Sequence, residues 1–141
     1  FAEVELAARL MEKKQKVEII FVDSYEYLRE VVDSDKDEYP SVHKELLEEY
    51  KQLAKELNIP IIMLMNLPCS DNVEPSISDF KANMIIPRTA DEVYFLHRDR
   101  IKDYGKSEAT LITGKNVNGL NPYIHLDFYP ETGMFKDFSE E

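Results

Sequence analysis

Apolar positions recur at two periods along the chain, and each change of period marks an element. From Ala2 to Lys16, Val4, Ala7, Ala8 and Met11 follow helical spacing, flanked by Leu6 and Leu10, before Lys13, Lys14 and Lys16 close the segment. Val17-Glu18-Ile19-Ile20-Phe21-Val22-Asp23 is then a short branched and aromatic run ending in one carboxylate, the pattern of a buried strand that delivers Asp23 to its C-terminal end. Pro40 and Ser41 announce a helix through about Leu57, with Ser41 as cap and Val42, Leu46, Leu53 and Leu57 facing inward. Asn58 ends it, and Pro60 to Met65 forms a second buried strand closing on Asn66. Strand, helical crossover and strand make a βαβ unit with parallel pairing, which sets Asp23 and Asn66 side by side at one sheet edge.

The second half is more broken. Leu67 to Pro75 reads as a polar loop with Pro68, Cys69 and Asn72, and Ser78-Asp79-Phe80-Lys81 as the start of a short helix that Pro87 interrupts. Glu92 to Leu96 is a third strand, followed by a polar excursion from Arg98 to Lys106. Ala109 to Thr113 and Tyr123 to Phe128 are two further strands around Asn116-Val117-Asn118-Gly119, a strong turn signal, and Glu131-Thr132-Gly133 turns into a short tail. No internal repeat or low-complexity linker interrupts the series.

Composition narrows the class. A chain of 141 residues suffices for one domain with a real core. It opens at Phe1 with a helical pattern already under way, so a piece of a longer chain is expected. With 28 acidic and 17 basic residues the formal charge is -11, which argues against a broadly basic nucleic-acid surface. The stretch Asp33-Ser34-Asp35-Lys36-Asp37-Glu38 reads as an acidic loop. A single Cys69 excludes an intrachain disulfide, and no apolar run approaches membrane-spanning length, so no membrane partner and a reducing cytoplasm are expected.

A carboxylate at a strand end can hold magnesium through water beside a nucleotide phosphate, or can simply cap the next turn. The phosphate loop that would decide between these is not found. Gly105-Lys106-Ser107 has Arg100 where the pattern needs glycine and is followed by strand, and Gly114-Lys115-Asn116 fails likewise. His43, His97, His125 and Cys69 have no zinc-site spacing, and no serine sits in a nucleophile elbow. The eight tyrosines and seven phenylalanines include Phe21, Phe95 and Phe128 at strand positions, where core packing explains them better than a base-stacking platform.

Taken in order, these segments resemble the C-terminal motor domain of the DnaB family of hexameric replicative helicases. Ile19 to Asp23 looks like its Walker B strand, and Lys51 to Ile62 is similar to the helix and strand before its sensor, with Asn66-Leu67 where the family carries Gln-Leu. Ser78-Asp79-Phe80-Lys81, Ala90-Asp91 and Phe95-Leu96-His97-Arg98-Asp99 keep the family's order, and Lys115-Asn116-Val117-Asn118-Gly119 matches its Lys-Asn-Arg-Asn-Gly turn except in the middle.

The resemblance implies a RecA-like, P-loop NTPase-type α/β domain over residues 1–141, from the helix before Walker B to the hairpin, with parallel central strands, flanking helices and a C-terminal antiparallel hairpin. It implies that Asp23 orders magnesium at ATP, that Asn66 holds the sensor position, and that Lys115 acts in trans in a neighbouring subunit's site of a homo-oligomeric ring. Asn66 is one methylene shorter than the family's glutamine. Val117 replaces an arginine finger, a loss worth roughly 10³ to 10⁵ in turnover by analogy with other fingers. Ala82-Asn83-Met84 stands for the polar Glu-Ser-Gly of a channel-facing loop, and the loop after Walker B is acidic here where the family is often basic. Lys81 and Arg88 remain as DNA phosphate contacts. The expectation is a portion of an ATP-dependent helicase motor, inactive by itself and without tight ATP binding; the alternative is a degenerate, non-catalytic binding or assembly module.

Overall fold

The computed structural model describes residues 1–32, 39–68, 73–98 and 107–138, grouped in two compact units, Phe1–Asn66 and Leu67–Glu141. The acidic stretch 33–38, Cys69, Asn72 and most of the polar excursion after Arg98 lie outside the described residues.

In the first unit, helix α1 (Ala2–Lys14) leads to strand β1 (Ile20–Val22), helices α2 (Tyr25–Val32) and α3 (Tyr39–Leu57), and strand β2 (Ile61–Met63). β1 and β2 pair in parallel with Ile20 opposite Ile61, Phe21 opposite Ile62 and Val22 opposite Met63, as the βαβ pattern predicts. α3 supplies the core through His43, Leu46, Leu47, Tyr50 and Leu53, spaced three or four apart, so that one stripe of the helix is buried. Phe1 packs edge-on against Tyr50, with ring centroids 5.0 Å apart. Arg9 joins α1 to α3 by an ion pair with Glu56 at 2.5 Å while also pairing Glu5 at 2.8 Å. Asn58 ends α3 in the left-handed region (φ 54), which asparagine tolerates better than most residues.

Several expectations are corrected here. α1 stops at Lys14, because Gln15 is already extended. Ser41 is not the cap of α3: the helix begins at Tyr39, and Pro40 occupies the first turn, where its missing N–H has no helical partner to lose. The segment after Asp23 forms α2, which the sequence reading did not anticipate. The two strands are not buried on both faces. Among the described residues this sheet has two strands, Ile20, Val22, Ile61 and Met63 lie half-buried, and the alternate residues Phe21 and Ile62 turn outward. Phe21 is 61% exposed and is therefore not a core residue.

In the second unit a 3-10 helix (Ile77–Asn83) is followed by α4 (Ile85–Thr89) and four strands, β3 (Glu92–Arg98), β4 (Ser107–Asn116), β5 (Tyr123–Tyr129) and β6 (Met134–Asp137). They form one antiparallel sheet in the order β3-β4-β5-β6. The expected hairpin is its β4–β5 pair, and β3 and the tail extend it on either side. Phe80 and Phe95, each 6% exposed, pack with centroids 6.1 Å apart and share the core with Ile86, Val93 and Ile112. Ser76 and Asp79 form a capping box at the start of the 3-10 helix. Pro87 does not interrupt: it sits in the first turn of α4 and is buried. Gly133, at φ 66, makes the turn into β6.

Candidate functional site at the strand ends and the hairpin lysine

The C-terminal end of β1 is held to β2 beyond the paired residues themselves. Leu64 donates its N–H to the Val22 carbonyl at 2.9 Å, and its own carbonyl accepts the Tyr25 N–H at 2.9 Å. These two bonds straddle Asp23 and Ser24, whose peptide is cis. β2 ends at Met63 and not at Met65 as expected, so Asp23 directly follows β1 while Asn66 lies three residues past β2; both are exposed, on the side of the sheet where open α/β sheets collect ligands. Glu26, in the first turn of α2, closes this edge: its Oε1 accepts the Asn66 backbone N–H at 2.6 Å. Burial, the largest single influence, opposes ionisation of Glu26, but hydrogen bonds from Ser24, from the Asn66 N–H and from its own backbone N–H together hold the carboxyl below its usual range. Glu26 Oε2 is buried with no hydrogen-bond partner. Sequence reasoning missed Glu26; the signal was an acidic residue in the first turn of a helix that directly follows a strand end.

Asp23 offers one exposed, hard carboxylate, and among the described residues no group of three or more His, Cys, Asp or Glu could cage a metal. A lone carboxylate of this kind is the donor that could hold magnesium through water beside a phosphate.

Lys115, Lys81 and Arg88 belong to the second unit. At the end of β4 the pairing slips, Val93 facing Lys115 and Tyr94 facing Thr113, so Gly114 is the extra residue of a bulge. A Cβ at Gly114 would overlap the Phe95 ring. The bulge re-aims Lys115, whose Nζ donates to the carbonyls of Pro87 at 2.9 Å, Arg88 at 3.4 Å and Ala90 at 2.5 Å. Lys115 thus covers the C-terminal carbonyls of α4, a favourable place for a cation, within its own chain. The Arg88 and Lys81 side chains are both exposed. Lys81 has φ 48 and ψ -113, a strained backbone for a residue with a Cβ.

The loop after β4 is organised by Asn116, whose Oδ1 accepts the Asn118 N–H at 2.9 Å and whose Nδ2 donates to the Leu120 carbonyl at 3.1 Å. Gly119 has no positive φ, so the Asn-Gly signal marks a longer loop and not a tight two-residue hairpin. Val117 is exposed, and its N–H donates to the Asp91 carbonyl at 3.2 Å.

A parallel strand pair with helices, followed by an antiparallel four-stranded sheet, is an α/β arrangement of the RecA-like type. The chain belongs to the family of the DnaB-like helicase C-terminal domain, whose model matches residues 1–137. It is 33% identical over 132 residues to "Replicative DNA helicase DnaB" of Treponema pallidum, covering 89% of this chain and 28% of that protein. It is 30% identical over 134 residues to "Probable plasmid replicative DNA helicase" of Chlamydia trachomatis serovar L2, covering 90% and 28%. Among solved structures, the "ATPase Domain of G40P" superposes with a TM-score of 0.77 at 20% identity, covering 96% of this chain and 50% of that one. The chain thus spans little more than a quarter of the curated relatives' length.

Proposed function

We propose that the chain is the portion of a replicative helicase motor that carries the magnesium side of an ATP site, and that the complete protein couples ATP hydrolysis to DNA translocation and unwinding. The observation that supports this reading is that Asp23 follows β1 and Asn66, three residues past the parallel β2, is joined to the same segment through Glu26. In this reading Asp23 holds a water-shelled magnesium ion, which when bound neutralises charge on the phosphates. Asn66 donates its side-chain amide to a terminal phosphate oxygen and so reports whether that group is present. Lys115 leaves the α4 carbonyls to supply positive charge at a neighbouring subunit's nucleotide, within a homo-oligomeric, hexameric ring in the cytoplasm. Lys81 and Arg88, exposed and cationic, meet the phosphates of single-stranded DNA.

Residues 1–141 contain no glycine-rich phosphate loop, so this stretch by itself hydrolyses no ATP. The test is unwinding of a forked DNA by the complete protein, which requires ATP and magnesium and is lost in Asp23→Asn. Unwinding that survives Asp23→Asn would exclude the assigned role of that carboxylate.

A further inference from the structure

The clamp at the end of β2 has a role that the strand-end residues do not explain alone. Glu26 and Asn66 lie 40 positions apart in sequence, yet the carboxylate of one holds the backbone of the other at 2.6 Å. A bond of that length to an ionised acceptor is among the stronger hydrogen bonds available to a backbone N–H. It links the first turn of α2, which follows β1, to Asn66 in the segment three residues beyond β2, and so ties the segments that follow the two parallel strands to each other. Asn66 has one rotatable side-chain bond fewer than a glutamine. An error in its backbone position is therefore carried to its amide with less room for correction.

We infer that Glu26 is the positioning residue for Asn66: its carboxylate sets the Asn66 backbone and with it the reach of the Asn66 amide toward a bound phosphate. The inference rests on the reading of Asn66 as a phosphate-sensing residue. The Glu26 carboxylate lies in the first turn of α2, where the helix N-terminus favours negative charge, and accepts the Asn66 N–H through Oε1. Glutamine at position 26 keeps an acceptor oxygen but loses the charge, and alanine removes both.

Two measurements test this. In the 141-residue chain, the Asn66 amide proton is expected far downfield in the NMR spectrum, to stay displaced in Glu26→Gln and to return to the ordinary range in Glu26→Ala. In the complete protein, Glu26→Ala is expected to lower kcat for ATP about tenfold with KM within about twofold, Glu26→Gln to recover most of it, and Glu26→Ala combined with Asn66→Ala to be no worse than Asn66→Ala alone. An Asn66 amide resonance unmoved by Glu26→Ala would overturn the inference, as would losses that multiply in full in the double variant. Wild-type turnover in Asn66→Ala overturns the sensor reading and the inference with it. Lowered turnover in Asn66→Ala but not in Glu26→Ala overturns the inference only.

Discussion

Gly114 is where a missing side chain decides the geometry of its neighbour Lys115. The bulge at Gly114 lets the Phe95 ring lie against the β4 backbone and turns Lys115 toward the α4 carbonyls. Gly114→Ala is expected to destabilise the protein by about 1–3 kcal/mol, because the ring and the strand must move apart; urea unfolding measures it. Glu26 makes the second prediction at this scale. Its folded-state pKa is depressed, so its contribution to stability is fully present above the unfolded carboxyl value of about 4.3 and is lost as pH falls through the folded value. Acid unfolding of the wild type should therefore be steeper below about pH 4.3 than that of Glu26→Gln. Parallel curves for the two proteins would show that the clamp contributes nothing to folding.

At the level of elements, long periodic segments were readable and short ones were not. α3 showed in the spacing of Leu46, Leu53 and Leu57, and the parallel β1–β2 pair in two apolar runs separated by a helix. α2 was missed because its eight residues begin immediately beyond the strand and run into an acidic stretch that dominates the local composition. The strand residues were read as buried on both faces because apolar alternation is invisible in a run such as Ile19-Ile20-Phe21-Val22. Hydropathy alone cannot tell which face of a two-stranded sheet the helices cover. Of the candidate site, Asp23 was legible as a carboxylate after a strand, and Asn66 and Lys115 as polar residues near the ends of apolar runs. The Glu26 clamp and the carbonyl cluster around Lys115 were not, since both depend on contacts between positions at least 25 apart.

Within α3, Tyr50 is buried while its hydroxyl has no hydrogen-bond partner, and burial raises its pKa, with Glu49 adding to the effect. Tyr50→Phe keeps the packing against Phe1 and removes an unsatisfied donor, so thermal unfolding should show a protein unchanged or up to about 1 kcal/mol more stable. A clear loss of stability would mean that the hydroxyl has an important hydrogen bond in solution.

For the molecule as a whole, charge sets the limit on nucleic-acid binding. At a formal charge of -11, with Lys81 and Arg88 as the two cations offered to phosphate, the 141-residue chain is expected to bind single-stranded DNA more weakly than about 10⁻⁴ M at physiological salt. Tighter binding in a fluorescence titration, reduced by Lys81→Ala or Arg88→Ala, would show that a local cluster outweighs the global charge. In the second unit, Lys115 ties the helix bearing Arg88 to the end of β4 before the Asn116 loop. The family assignment and the strand-end geometry meet in one residue. Single-turnover, magnesium-dependent ATP hydrolysis by the complete protein should fall at least about 10²-fold in Asp23→Asn, as expected when a group that positions the metal at phosphoryl transfer is removed; hydrolysis at the wild-type rate would contradict the account.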